Sequence, residues 1–399
     1  MDSYSYSYTF SKRAQQLTSS TIREILKVTE RPEIISFAGG LPSPKGFPIE
    51  AMKQAFNRVL ESKGESALQY GPTEGYAPLR AWVAQDLKHS GADDVSPDEV
   101  LIVSGSQQAL DMLGKLFIDP GSKVLVEAPS YLGALQSFSL FEPAYQSVPT
   151  DEGGLIPESL TPETAAGARF IYALPNFHNP TGRTLSLERR KALVERCAAL
   201  QVPIIEDDPY GELRYAGEPL PGLLGLGRAA GATVIRLGSF SKVLAPGLRL
   251  GYIVAPRRII SKLVQIKQAT DLHTASLTQM AVYETIKDGF LDTHLPVVRQ
   301  LYKEQCGYML DAIEEHFPDT CSWTKPDGGM FIWITLPAHI DGSKLLEQAV
   351  ARNVAFVPGA PFFAGEGRQD NTFRLSFVTV SEAKIREGIA ILGELIKQS

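Results

Sequence analysis

Short apolar runs and amphipathic segments alternate along the chain up to about residue 255. The apolar runs are rich in Val and Ile, which is typical of buried strands. They predict strands over 100–103, 123–127, 144–148, 170–173, 202–205 and 232–237. The segments between them have apolar residues at helical spacing and predict helices over about 49–62, 76–89, 106–117, 131–140 and 186–200. Strands separated by helices predict an α/β fold with a large, doubly wound, mostly parallel sheet.

The pattern changes beyond residue 255, where long helical stretches are followed by short strands with flanking helices. Helical spacing covers 258–288, 291–316, 343–352 and 381–397, and strands are predicted near 321–324, 330–336, 354–357 and 373–377. This part predicts a second, smaller α+β domain. We predict an N-terminal arm and helix over 1–45 that packs with the small domain and the active site, a large domain over 46–296 and a small C-terminal domain over 297–399. Within the first segment, the Ser-Tyr alternation at 3–8 predicts a mobile arm. Capping residues followed by helical spacing predict a helix over 17–28.

Composition and charge narrow the class of protein. The chain of 399 residues is 44% hydrophobic and 21% charged, as in ordinary globular proteins. Its net charge is −6 without a basic block, so we expect neither nucleic-acid nor membrane binding. We find no signal peptide and no apolar run long enough to span a bilayer. Three scattered cysteines predict reduced thiols in a cytoplasmic protein, and six scattered histidines give no metal-ligand spacing.

The stretch Gly238-Ser239-Phe240-Ser241-Lys242 follows the last predicted strand of the large sheet. Open α/β sheets bind their ligands at the carboxyl ends of their strands. A lysine buried there is a nucleophile that can form a Schiff base, and Ser239, Ser241 and Arg249 could bind a phosphate. An imine-forming amine beside a phosphate site is what pyridoxal 5′-phosphate (PLP) requires. The alternative is a solvated lysine in a Ser-rich loop.

Other polar residues also follow predicted strands. Ser106 and Gln107 begin a helix, where free N–H groups could bind a phosphate or Ser106 could simply cap the helix. Tyr131 could stack on a planar ring or belong to the core. The run Glu206-Asp207-Asp208 favours a cationic partner, such as a protonated pyridine nitrogen, or is a solvated acidic loop.

The sequence contains three further candidate sites, the first of which also follows a predicted strand. Asn179-Pro180 is a candidate cis peptide that would hold the asparagine amide rigidly. Arg374 alternates with apolar neighbours and could bind a carboxylate, or pair with a distant acid. The Gly39-Gly40 pair would let the backbone approach a ligand or form a tight turn. By contrast, the glycine pattern starting at Gly225 follows no predicted strand and fails the test for a dinucleotide site.

Taken in order, these motifs resemble the fold-type-I PLP-dependent aminotransferases of class I/II over nearly the whole chain from about Ile34. The branch containing 2-aminoadipate and kynurenine aminotransferases is suggested by the stretches 104–108 and 357–363. The resemblance implies that the large sheet domain binds PLP. It also implies a homodimer with shared active sites. The scattered histidines, as noted above, predict no metal site.

The same resemblance implies a role for each candidate residue. Lys242 would form the internal aldimine and move the proton, with Asp207 on the pyridine nitrogen and Tyr131 stacked on the ring. The remaining contacts are implied as follows: Asn179 and Tyr210 at the ring's phenolic oxygen; Ser106, Gln107, Ser239, Ser241 and Arg249 at the phosphate; Tyr70 at the phosphate of the neighbouring subunit; Arg374, Asn179 and Gly40 at the substrate α-carboxylate; Ser20 and Arg23 at the substrate side chain.

The implied activity is ping-pong transamination. The amino donor would be 2-aminoadipate, glutamate or an aromatic or large aliphatic L-amino acid. The acceptor would be a 2-oxo acid, for which 2-oxoglutarate is the first candidate. The same scaffold also carries β-lyases and cyclopropane-forming synthases, which the ring-binding residues do not separate from aminotransferases. PLP-binding transcription regulators are a non-enzymatic alternative. They are disfavoured because only about 30 residues precede the resemblance, too few for a folded DNA-binding domain.

Overall fold

The computed structural model describes residues 9–16, 31–365 and 367–399. The predicted arm at 3–8 and the predicted helix at 17–28 lie outside these ranges. The helices described are α1 Lys12–Gln16, α2 Ile49–Ala67, α3 Ala77–Asp86, α4 Ser106–Phe117, α5 Leu132–Ser139, α6 Pro162–Ala165, α7 Leu187–Leu200, α8 Leu223–Ala230, α9 Arg257–Thr270, α10 Ser276–Ile286, α11 Phe290–His316, α12 Gly342–Ala351 and α13 Glu382–Gln398. None of them is long and apolar enough to cross a membrane.

The strands form two main sheets and two short pairs in the part of the chain described. They are β1 Ile35–Ser36, β2 Val100–Val103, β3 Lys123–Glu127, β4 Ala144–Val148, β5 Thr150–Asp151, β6 Gly154–Leu155, β7 Ala168–Ala173, β8 Ile204–Asp207, β9 Val234–Ser239, β10 Gly251–Val254, β11 Ser322–Trp323, β12 Phe331–Thr335, β13 Val354–Ala355, β14 Val357–Pro358 and β15 Thr372–Ser376. The large sheet has the order β2-β10-β9-β8-β7-β3-β4. Its pairs are parallel except those of β10, which runs antiparallel to β2 and β9.

This sheet confirms the predicted α/β fold. The central strand β8 and the edge strand β2 are buried over their whole length, and β9 is buried up to Gly238. Helices cover both faces of the sheet, and parallel strands covered in this way are apolar runs rather than alternating ones. The carboxyl ends of β3, β7, β8 and β9 meet at one edge. The polar residues that follow these strands are therefore brought together there.

The second sheet is antiparallel, with the order β11-β12-β15-β14, and packs with α11 and α13 around its own apolar core. The N-terminal strand β1 pairs with β13 and its neighbour Phe37 enters this core. Helix α11 links the two cores: Leu295 packs below the large sheet, whereas Val298 packs with the second. The predicted domain division at 296/297 falls within α11, and it stays a prediction.

Two element boundaries differ from the sequence prediction in a way that affects the site. The stretch 258–288 is two helices, because Leu272 adopts a φ of +66° and the Asp271 carboxylate accepts hydrogen bonds from Gln108 and Lys267. The strand predicted at 202–205 is β8, which continues to Asp207. Two of the three consecutive carboxylates thus belong to the strand, where alternation sends neighbouring side chains to opposite faces.

Candidate active site

Lys242 lies three residues beyond the end of β9, at the carboxyl edge of the large sheet. Its Nζ donates a hydrogen bond to the Gly40 carbonyl oxygen at 3.0 Å and lies 5.9 Å from the centre of the Tyr210 ring. Burial, together with the positive charges of Arg374 and Arg249, lowers the pKa of Lys242 to about 8. A much larger fraction of this amine is therefore neutral and nucleophilic near neutral pH than in a solvated lysine.

The carboxylates on either side of Asp207 are already neutralised by the protein. Glu206 accepts hydrogen bonds from Arg236 at 2.9 Å and from the first N–H groups of helix α8. Asp208 accepts from Arg236 at 2.8 Å, from Asn176 at 2.9 Å and from the Gly211 N–H. Both of these carboxylates therefore have a structural role.

Asp207 has no cationic partner within the described part of the chain. Its Oδ2 accepts a hydrogen bond from the Tyr172 hydroxyl at 2.6 Å, whereas its buried Oδ1 has no partner among the described residues. Burial raises the pKa of Asp207 to about 7. A buried acceptor with no donor is costly, and the N–H of a protonated pyridine ring would satisfy it. This geometry favours Asp207 over Asp208 as the ring partner.

Helix α4 begins at Ser106, where its free N–H groups face the same region. The preceding Gly105 has a φ of +86°, and a Cβ there would lie 2.6 Å from Nη2 of Arg249. The guanidinium of Arg249 thus packs directly against the start of the helix. The hydroxyl of Ser239 accepts the Ser241 N–H at 3.2 Å near the end of the adjacent β9. Helix N–H groups, a guanidinium and hydroxyls together fit a phosphate. Gln107, also predicted here, donates to the Gly133 carbonyl oxygen.

The amide of Asn179 connects two candidate sites. Its Oδ1 accepts a hydrogen bond from Nη1 of Arg374 at 2.8 Å, and its Nδ2 donates to the Tyr210 hydroxyl at 3.4 Å. The Asn179–Pro180 bond is cis, as the sequence predicted. The unpredicted Ala128–Pro129 bond is also cis.

Arg374 is a buried cation without a counter-ion among the described residues. Only 2% of its surface is exposed, and its guanidinium lies over the rings of Phe331 and Phe362. It donates to Asn179 and to the Ala38 carbonyl oxygen, while its Nε has no partner in the ranges that the structure describes. Burial lowers its pKa to about 10, so it remains charged at neutral pH. The described residues thus do not include the distant acid considered from sequence, and the guanidinium can bind a ligand carboxylate.

The other predicted residues differ in their positions. Tyr131 directly precedes α5, and burial, with the charge of Asp207 adding to it, raises the pKa of its hydroxyl. Tyr70 is 79% exposed, and its ring meets His273 edge-on at 5.8 Å between centres. Ser20 and Arg23 lie outside the described residues.

Sequence reasoning missed two residues that support the site. Arg236 neutralises Glu206 and Asp208, and the only sequence signal was one charge inside an apolar strand. Tyr172, which holds Asp207, had no signal because a tyrosine is ordinary in a buried strand.

Comparison with known proteins gives consistent results. The family profile "Aminotransferase class I and II" matches residues 33–392. The 2-aminoadipate transaminase of Thermus thermophilus is 48% identical over 100% of this chain and 98% of its own. A crystal structure of alpha-aminoadipate aminotransferase from the same species, complexed with N-(5′-phosphopyridoxyl)-L-leucine, has a TM-score of 0.89 at 47% identity, covering 98% and 97% of the two chains. Kynurenine aminotransferase of Pyrococcus horikoshii has a TM-score of 0.92 at 44% identity with the same coverage.

Proposed function

Because this chain belongs to the class I and II aminotransferases, which are PLP-dependent enzymes, we propose that it transfers the amino group of 2-aminoadipate or an aromatic or large aliphatic L-amino acid to a 2-oxo acid, with 2-oxoglutarate as the usual acceptor. The reaction would follow a ping-pong course. The observation that carries the proposal is the buried Oδ1 of Asp207, an acceptor without a donor among the described residues. It is supported by the buried amine of Lys242 and by the guanidinium of Arg374, which has no acidic partner in the described part of the chain.

The proposed roles follow from the contacts of each residue. PLP, when bound, supplies an aldehyde and a ring that accepts the electron pair of a broken Cα–H bond. Lys242 would hold the cofactor covalently through Nζ and, once displaced by the substrate amine, take the α-proton on the same atom. Asp207 would keep the ring nitrogen protonated through Oδ1. Tyr131 would stack on the ring, and Tyr210 with Asn179 would bind its oxygen.

The substrate would be oriented by its α-carboxylate. Arg374 offers a charged donor pair, held in place by Asn179 and by the Ala38 carbonyl oxygen. Gly40 belongs to the same segment as Ala38, and its carbonyl oxygen accepts a hydrogen bond from Lys242. The Gly40 backbone would therefore lie beside the substrate carboxylate. The start of α4 with Ser106, Gln107, Ser239, Ser241 and Arg249 would bind the cofactor phosphate. With its carboxylate held by Arg374 and the cofactor phosphate held at the start of α4, the substrate would be fixed at both ends, and Lys242 would take the α-proton.

Substrate choice is supported by the relatives. One is named for 2-aminoadipate, one for kynurenine, and one was solved with a leucine adduct. We propose that Arg23, with Ser20, pairs with a distal carboxylate and moves away for aromatic side chains. Arg23→Ala should then raise KM for 2-aminoadipate and leave KM for phenylalanine unchanged; an effect on phenylalanine alone would contradict this role.

The direct test of the activity is a panel of amino donors against 2-oxoglutarate, scored by kcat/KM. Incubation with the amino donor alone should release one equivalent of 2-oxo acid per active site and then stop, as a ping-pong course requires. Continuous release of pyruvate or ammonia without added oxo acid would instead identify a β-lyase, which is the second candidate because the scaffold also carries that chemistry.

We also propose a cytoplasmic homodimer. Leu68 and Tyr70 are 73% and 79% exposed, and such apolar exposure indicates a contact surface. Tyr70 would reach the partner's cofactor phosphate. The three cysteines are buried and unpaired, consistent with a reducing compartment. If sites are shared, mixing Lys242→Ala and Tyr70→Phe chains should form hybrid dimers with one intact site and restore activity; unshared sites would give no recovery above the separate variants.

A further inference from the structure

A buried carboxylate and a buried imidazole lie under the turn that carries Asn179. Glu127 ends strand β3 and His178 directly precedes Asn179, and their side chains are 3% and 5% exposed. Nε2 of His178 lies 3.4 Å from Oε2 of Glu127, which also accepts the Leu174 N–H at 3.0 Å. Neither residue has a role in the function proposed above.

The contacts of His178 identify its tautomer. The backbone N–H of Thr181 points at Nδ1 from 3.4 Å, and the Thr181 hydroxyl lies 3.0 Å from the same atom. A backbone N–H can only donate, so Nδ1 is the acceptor and the ring proton is on Nε2. Nε2 makes no hydrogen bond with the described residues, but it lies 3.4 Å from Oε2 of Glu127. A carboxylate at this distance favours a proton on Nε2 by electrostatic attraction, which is the tautomer that the turn needs.

His178 also ties the two ends of the turn together. Its backbone N–H donates to the Arg183 carbonyl oxygen at 2.8 Å, and its own carbonyl oxygen accepts from the Gly182 N–H at 2.6 Å. Asn179 lies inside this turn. Rotating its amide by half a turn would set Nδ2 against the Arg374 guanidinium, donor against donor, so both neighbouring contacts depend on one orientation.

The pair has no direct access to a substrate. Glu127, His178 and Thr181 line a cavity of about 10 Å³, which has room for no more than one water molecule. Any effect of the pair on the reaction must therefore pass through the turn to the Asn179 side chain.

We propose that His178 is a positioning residue, held in its Nε2–H tautomer by Glu127, whose Nδ1 fixes the 178–183 turn and thereby the Asn179 amide between Arg374 and Tyr210. This inference rests on the proposed function. It assigns to His178 control of two quantities: affinity for the substrate carboxylate, and the environment of the cofactor's ring oxygen.

Three substitutions of His178 separate its two ring nitrogens. In His178→Asn the Oδ1 atom can replace the Nδ1 acceptor, in His178→Gln the Nε2 amide can replace the donor to Glu127, and His178→Leu removes both. Leu193→Ala is the matched control, because Leu193 is buried in an apolar core on α7 and contributes no polar group to the site. The measurements are kcat and KM for the amino donor, the pH midpoint of the visible cofactor band in the resting holoenzyme, and Tm.

We expect His178→Leu to raise KM by about 10-fold or more and to shift the spectral midpoint by about 0.4–1 pH unit, the equivalent of one hydrogen bond. His178→Gln should behave similarly. His178→Asn should lower Tm, because Glu127 loses its neighbour. It should keep KM within about threefold of wild type, because the asparagine Oδ1 still accepts from Thr181. Leu193→Ala should lower Tm by about as much as His178→Leu and leave KM and the midpoint unchanged.

Two outcomes would overturn the inference. If His178→Leu lowers Tm but leaves KM and the midpoint at wild-type values, the pair is only structural. If His178→Gln keeps wild-type KM and His178→Asn does not, the contact with Thr181 is not the one that matters. A wild-type enzyme with no visible cofactor band would instead contradict the proposed function itself.

Discussion

At Gly105, adding a single methyl group should weaken cofactor binding by more than a general loss of stability explains. Its φ of +86° and ψ of 159° belong to a region that essentially only glycine adopts, with a cost of about 1–3 kcal/mol for another residue. A Cβ would also lie 2.6 Å from Nη2 and 3.1 Å from Cζ of Arg249. Gly105→Ala must therefore both strain the backbone and displace the guanidinium.

The magnitude follows from the contact that is lost. A hydrogen bond to a charged group contributes about 1.5–3 kcal/mol, so displacing Arg249 from the phosphate should weaken PLP binding by about 10- to 150-fold. Gly231→Ala is the matched control. Gly231 also has a positive φ, of +75°, but a Cβ there meets nothing within 4 Å, and the residue caps helix α8.

The assay is titration of the apoenzyme with PLP, followed by the visible absorbance of the bound cofactor, with Tm measured on the same samples. Gly105→Ala should lower Tm and raise the Kd for PLP by at least 10-fold, whereas Gly231→Ala should lower Tm alone. If both variants bind PLP within about threefold of wild type, Arg249 and the start of α4 do not form the phosphate site.

Three further predictions concern charged groups. Arg374→Ala should lower kcat/KM for the amino donor by at least about 30-fold, mostly through KM, because a buried partner of a carboxylate is worth about 2 kcal/mol or more; an unchanged KM would contradict the carboxylate site. Arg236→Met should reduce stability by about 3–5 kcal/mol in urea unfolding, since Glu206 and Asp208 stay buried without their cation; a loss below 1 kcal/mol would refute it. The pKa of Lys242 is lowered to about 8, so the unfolded chain binds more protons than the folded one between about pH 8 and 10.5. Because the neutral amine is the nucleophile, the rate at which PLP attaches to the apoenzyme should rise through pH 8. A midpoint near pH 10.5 would mean that the amine is solvated.

The sequence predicted the fold well because the large sheet has helices on both faces. Most residues of its strands other than β4 are buried, and such strands are readable as short apolar runs, as at 100–103 and 123–127. Strand ends then located Lys242, Ser106 and Asn179 at one edge. The break after Thr270 was missed, because it depends on Asp271 binding Gln108 from a distant helix, a tertiary contact that helical spacing does not encode.

The different roles of the three consecutive acidic residues were the second feature that the sequence did not show. The sequence places Glu206, Asp207 and Asp208 together, and only the family resemblance assigned the pyridine nitrogen to Asp207. The physical reason is visible only in three dimensions: alternation along β8 points Asp207 away from Arg236, which neutralises both neighbours. Likewise, the cation of Arg374 was predicted, whereas the aromatic rings that enclose it come from distant segments.

The central claim is that one amine, that of Lys242, holds the cofactor. Reducing the holoenzyme with borohydride and mapping its peptides by mass spectrometry tests this directly. The account predicts a single phosphopyridoxyl group on the peptide containing Lys242, and neither this label nor the visible band in Lys242→Ala. A label on another lysine, or turnover retained by Lys242→Ala, would contradict it.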